Sequence, residues 1–259
     1  MHALVNIALR AARDAAESLA HRVDRLDRVQ IVDDTPESFQ TSLDTDADKA
    51  ILYHLQKTFP DHGILSRISG HHEGKEGEPL WLVDPVLGSR NLANGYPLFG
   101  VSIAVQMKGV VSHGVVVLPM FNEEYVASRG VGAQMNSRRI RVSETTEIEG
   151  SLLGLNELGL DPKAFINFQQ ALLKAKASPR LSGCSALDMM AVASGKLQGG
   201  WSKQLDQCSG AAASLILKEA GGLIGSEEGN PRLESGKEML FANAKMFKQL
   251  VKLRHKISS

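Results

Sequence analysis

The spacing of apolar residues changes character several times along the chain. Leu4, Ile7, Ala8, Ala11, Ala15 and Leu19 recur at steps of three and four, with Arg10, Arg13 and Glu17 elsewhere on the wheel, which predicts an amphipathic helix. The polar stretch VDDTPESFQTSLD reads as strand and loop. DTDADKAILYHLQKTF then returns to the helical period, with Asp44 placed to cap it. From Gly63 the pattern shortens to runs rich in Val, Ile and Leu broken by Gly or Pro: GILS, LWLV, GVSIAVQM and GVVSHGVVVL, all predicted strands. EEYVASRG and RRIRVS read as more exposed strands around a turn at Met135–Asn136.

Beyond this point helix and strand alternate. Helices are predicted over 162–175, 186–193, 208–220 and from Lys245 onward, with strands near 180–182 and 200–203, in GGLIG and in EMLFANA. The layout is an α/β (α+β) fold in which an N-terminal half, 1–145, is rich in antiparallel strands and a C-terminal half, 146–259, alternates. No linker is long enough to separate them, so they are expected to form one compact unit.

At 259 residues, 43% apolar and 22% charged, the chain has ample material for a core. A formal net charge of zero gives no bulk attraction to nucleic acid or an acidic membrane. No apolar run approaches the roughly 18 residues of a membrane span. The first residues carry charges too often for a signal peptide. Cys184 and Cys208 lack metal-ligand spacing and read as reduced, apolar side chains. A cytoplasmic protein is expected.

The candidate chemistry centres on WLVDPVLGSRN, residues 81–91. Asp-Pro after an apolar strand, followed by Gly88 and Ser89, most often makes a turn. The functional reading is that Asp84 and nearby carbonyls face a cation while Gly88 and Ser89 offer N–H groups to a phosphate. Asp206 reads first as a helix N-cap, a place that also favours anions, and Asp44 shares that ambiguity. His71 and His72 are adjacent in a solvated loop and suit no metal. The basic run SRRIRVS and the C-terminal lysines read as solvated faces.

In their order and context these segments carry more. WLVDPVLGSRNLANGYPLFGVSIAV resembles the central motif of the inositol monophosphatase family, and LDQCSGAAASLILKEAGG its second signature. FQTSLDTDADKAI and GCSALDMMAVASG extend the likeness over nearly the whole chain. The opening MHALVNIALRAAR looks like the bacterial branch called SuhB. The resemblance implies a layered αβαβα sandwich, a homodimer, and Mg2+-dependent removal of phosphate from a sugar or inositol alcohol. In working members the ions polarise the phosphate and activate water, while a threonine–aspartate pair orients that water.

Residue by residue, the likeness makes Asp84 and Asp206 metal aspartates, Val86 the donor of a backbone carbonyl, and Asp44 with Ser89 the water-orienting pair. Gly88, Ser89, Arg67 and Arg90 are candidate phosphate contacts. The departures fall on the same site. Leu87 stands where a second metal aspartate is expected, and Arg67 and Ile68 where GEESG has its glutamates. The segment before Asp206 is shortened, without a match for the substrate-binding glutamate. Leucine has no lone pair. Replacing an anion by a cation shifts the local balance by more than the ~4 kcal/mol of one unit-charge pair at 4 Å and an effective dielectric near 20. Arg67 and Arg90 are therefore expected to approach Asp84 and Asp206 and take the place of the metals. Glu73, Glu76 and Glu78 are the carboxylates nearest in sequence that a rearranged loop would bring in, but their Gly-rich loop reads first as solvated.

With these departures the resemblance implies a catalytically weak or inactive pseudophosphatase that acts by binding, in which Mg2+ is weak or absent. Its ligand would be a small phosphate, or its partner a protein of the transcription machinery, as for the SuhB branch in antitermination. The alternative is a residual Mg2+-dependent phosphatase on inositol phosphate or a related sugar phosphate.

Overall fold

Helix α1 (Ala3–Arg22) buries Leu4, Val5, Ala8, Ala12, Ala15 and Leu19 on one side, as the spacing predicts. A hairpin of β1 (Ile31–Asp34) and β2 (Phe39–Thr41) leads into α2 (Ser42–Thr58). Thr41, not Asp44, is the N-cap of α2. Asp44 lies three residues in and accepts from the Thr41 backbone N–H at 2.9 Å and its hydroxyl at 2.8 Å, completing a capping box. The computed structural model describes residues 2–35, 38–203, 205–226, 228–230 and 238–258.

The strands β3 (Gly63–Ser66), β4 (Gly70–His72) and β5 (Leu80–Leu87) precede a short helix, α3 (Ser89–Ala93). They are followed by β6 (Gly100–Met107), β7 (Val110–Leu118), β8 (Glu123–Ser128), β9 (Gly132–Met135) and β10 (Arg138–Arg139). These strands form an eight-stranded sheet in the order β10-β9-β8-β7-β6-β5-β3-β4, antiparallel except where β3 runs alongside β5. The tight turn lies at Asn136–Ser137, both with positive φ, one residue later than the sequence suggests. Of RRIRVS only Arg138–Arg139 pairs as a strand.

The C-terminal part adds β11 (Leu152–Leu155), α4 (Pro162–Lys174), β12 (Ser178–Leu181), α5 (Ser185–Ala193) and β13 (Gly199–Lys203). It closes with α6 (Gln207–Glu219), β14 (Leu223–Gly225), β15 (Glu238–Ala242) and α7 (Ala244–Ser258). Its sheet runs β12-β11-β13-β15-β14, with β11 parallel to both neighbours.

Three apolar clusters show how the layers stack. α1 and α2 pack on one face of the large sheet through Leu9, Ile51, Trp81, Val83 and Ile103. Its other face meets α5 and α6 through Leu82, Ala104, Met190, Ala212 and Ile216, and these helices also cover the small sheet through Phe241. The far face of the small sheet carries α4 and α7 around Phe168, Trp201, Met246 and Leu250. The result is the αβαβα sandwich. Among the described residues no helix is long and apolar enough to cross a membrane.

One irregularity prepares the site. Along β5, Trp81 and Val83 face α1 and α2 while Leu82 faces the opposite layer, as a two-residue period requires. The register against β6 slips between Asp84 and Leu87. Beyond the slip the parity is reversed: Val86 joins the outer cluster and Leu87 the inner one. Pro85, which has no N–H to give a ladder, occupies the slipped stretch.

Candidate functional site

The end of β5, the residue after β3 and the starts of α2, α3 and α6 converge on one buried group of charges. Asp84 is 2% exposed and Asp44 fully buried, so both carboxylates must find donors inside the protein. Arg67 supplies most of them. Its backbone N–H extends the strand pairing by bonding the Val83 carbonyl at 2.9 Å, which aims its side chain along the end of β5. Its Nε then donates to Asp84 Oδ1 at 2.7 Å. Its Nη2 reaches Asp44 Oδ1 at 2.9 Å, the Val86 carbonyl at 3.1 Å and Ser89 Oγ at 3.2 Å. Burial works against the Arg67 charge, but Asp84 and Asp44 outweigh it and hold the guanidinium more firmly protonated than usual.

Gly88 makes the turn from β5 into α3. Its φ of 77° is left-handed, and a Cβ there would lie 2.7 Å from the Leu98 carbonyl oxygen. The turn places Ser89 so that its hydroxyl donates to Asp44 and also lies 3.1 Å from the Val86 carbonyl.

Asp206 is the N-cap of α6. Its Oδ1 accepts from the backbone N–H groups of Cys208 at 2.8 Å and Ser209 at 3.0 Å. It reaches Asp84 through a residue the sequence reading passed over: Ser209 Oγ lies 2.6 Å from Asp84 Oδ2 and 2.6 Å from Asp206 Oδ2. One hydroxyl proton thus serves two carboxylates. The signal was in the spacing, since the third residue into a helix sits over its N-cap.

Two expectations need correction. Arg90 does not approach Asp84 or Asp206; it is exposed, bonds Asp34 at 2.8 Å and lies over the Phe39 ring. Arg67 pairs with Asp84 and Asp44 rather than with Asp206. The loop carboxylates stay in solvent: Glu73, Glu76 and Glu78 are exposed, with Glu73 beside His71 and Glu78 beside His62. Leu87 is 2% exposed, its side chain packed in the inner core cluster. Among the described residues no group of three or more His, Cys, Asp or Glu side chains is arranged to hold a metal ion.

A cavity of about 610 Å³ opens above these groups, between the ends of the two sheets. Arg67, Asp84, Leu87 and Ser89 line one wall, and Asn156, Ser185 and Lys203 the other. Cys184 and Cys208 lie nearby, but burial pushes both thiols up to about 12, so neither is a ready nucleophile. Asp188 on α5 is also buried, with Oδ2 unpaired, and desolvation raises its carboxyl to about 7.

A family model described as the inositol monophosphatase family matches residues 1–259. The chain belongs to the inositol monophosphatase family. The Nus factor SuhB of Pseudomonas aeruginosa is 36% identical over 258 residues, spanning 97% of this chain and 95% of that protein. The Nus factor SuhB of Escherichia coli K12 is 33% identical over 265 residues, spanning 100% and 98%. Among solved structures, the extragenic suppressor protein SuhB from Bartonella henselae superposes with a TM-score of 0.92 at 28% identity, over 98% of this chain and 99% of that one. An inositol monophosphatase from Anabaena gives 0.83 at 28% identity, over 98% and 96%. Mg2+ is the cofactor of the inositol monophosphatase family.

Proposed function

We propose that this inositol monophosphatase family member is a pseudophosphatase, catalytically weak or inactive, that acts by binding. The observation that supports this reading is the Arg67 guanidinium lying among Asp84, Asp44, Ser89 and the Val86 carbonyl. Mg2+ requires near-octahedral oxygen and is reluctant to lose water. Here Asp84 Oδ1 and the Val86 carbonyl already accept from a cation, and the Leu87 side chain brings no oxygen. Asp206 gives one oxygen to the N-terminus of α6 and the other to Ser209. A divalent ion entering this group would meet a fixed positive charge. The residues do not fit Mg2+.

The same guanidinium satisfies carboxylates that would otherwise be buried and unpaired, which explains how the fold keeps them. The family relatives called Nus factor SuhB support a protein partner in the transcription machinery, and antitermination is the role we propose there.

The test is phosphate release from inositol 1-phosphate over a Mg2+ series, with Arg67→Glu/Leu87→Asp alongside wild type. Silence from the wild type and Mg2+-dependent turnover in the variant is the expected result. The hydroxyl–carboxylate contact of Ser89 with Asp44 favours the second reading, a residual Mg2+-dependent phosphatase. Saturable Mg2+-dependent turnover by the wild type would establish that reading and overturn the first.

A further inference from the structure

The cavity presents hydrogen-bond donors on two facing walls, while the acceptors on its floor are already engaged. On the large-sheet side, Arg67 spends Nε and Nη2 on protein oxygens; its Nη1 donates to no described residue, and the side chain is 20% exposed. On the small-sheet side, Lys203 ends β13, half-buried, and its ammonium has no partner among the described residues. It lies against Gly159, where a Cβ would come 2.6 Å from Lys203 Cδ, so the loop after β11 holds its stem. Asn156, 5% exposed, gives its Oδ1 to the Leu158 N–H at 3.0 Å and leaves Nδ2 without a partner among the described residues. All three residues line the same cavity.

Lys203 with the Asn156 amide forms a complement to negative charge on one side; on the other, Arg67 Nη1, its charge already balanced by Asp84 and Asp44, offers a hydrogen-bond donor, and Arg90 at the rim is bonded to Asp34. A neutral polyol would leave the Lys203 ammonium without a charge partner, whereas an acid group there would form a charge-assisted bond. We infer that the cavity takes, without a metal, a small ligand with an acid group at each end, of the phosphorylated carboxylic acid class, one end held by Arg67 Nη1 and the other by Lys203 and Asn156. This inference rests on the metal-free reading of the site. It adds that Lys203 sets the preference for an acid over an alcohol.

A matched pair of probes isolates the claim. 3-Phosphoglycerate and glycerol 3-phosphate differ in having a carboxylate or an alcohol at one end. Their dissociation constants are measured by calorimetry on the full chain in EDTA at fixed ionic strength, for wild type and Lys203→Met. Lys203 is half-buried and its ammonium bonds no described residue, so the variant is expected to fold, and its circular dichroism checks this. A charge-assisted bond of about 1.5 kcal/mol or more corresponds to roughly tenfold in affinity. 3-Phosphoglycerate should therefore bind about tenfold tighter than glycerol 3-phosphate, and Lys203→Met should level the two. Equal binding of the probes, or a preference that survives Lys203→Met, overturns the inference. Failure of both probes with and without Mg2+ overturns it too but leaves the metal-free reading standing. Binding that appears only with Mg2+ overturns both.

Discussion

Replacing Arg67 by Met keeps much of the stem's volume and removes the charge from among Asp84 and Asp44. Asp44 is fully buried and Asp84 is 2% exposed, so water cannot take over for the guanidinium. Each ion pair is of the order of 4 kcal/mol at 4 Å and an effective dielectric near 20, before desolvation of the arginine is set against it. Removing one member of a buried pair costs about 3–5 kcal/mol, because the remaining charges stay in place unpaired. For a chain of this size each kcal/mol moves Tm by roughly 2–4 °C, so Arg67→Met should lower Tm by about 10 °C. Thermal unfolding followed by circular dichroism reads the loss. A cycle with Asp84→Asn identifies its origin: the double variant should be less destabilised than the sum of the singles, since neutralising Asp84 removes part of what the arginine balanced. A loss under about 1 kcal/mol, or simple additivity with Asp84→Asn, would refute the claim that Arg67 neutralises this buried group.

Two further outcomes follow from neighbouring residues. Asp188 has a carboxyl raised by burial to about 7 from 3.8. The stability it contributes is fully present below pH 4 and is lost as pH rises through 7, by about 4 kcal/mol in all. Asp188→Asn should therefore raise Tm at pH 8 and flatten the fall in stability between pH 4 and 7, as a pH series of unfolding curves will show. Ser209→Ala removes the hydroxyl lying 2.6 Å from both Asp84 and Asp206, and should cost about 1.5–3 kcal/mol by urea unfolding at neutral pH, with little change in circular dichroism at native conditions.

Most of the layered fold was legible because its elements have strong periods. α1 shows its apolar face at three- and four-residue steps, and β6 and β7 are runs that only a covered strand tolerates. Elements without a period were missed. β4 is three residues of Gly-His-His at a sheet edge, and β11 is a four-residue run whose role depends on β12 and β13 pairing on either side. The structure brings Asp84, Asp44, Val86, Ser89 and Arg67 together, yet Ser209 and the directions of the two arginines had to come from the structure. Arg67 continues the pairing of β3 with β5 and is aimed inward, whereas Arg90 sits on α3 one residue past Ser89 and turns outward to Asp34. A side chain's direction at a strand end depends on register, and the slip after Asp84 broke the alternation by which sequence alone assigns faces. Lys203 went unread for a related reason: the shortened segment before Asp206 offered no motif to place it, and it is the pairing of β13 with β11 and β15 that sets it in the cavity wall.

The most direct test of the central claim, that a guanidinium stands in place of metal in this site, is calorimetric titration of the wild-type chain with Mg2+, run beside Arg67→Glu/Leu87→Asp. The structure predicts no saturable binding to the wild type at millimolar Mg2+ and its appearance in the double variant. Saturable Mg2+ binding to the wild type that disappears in Asp84→Asn would contradict it.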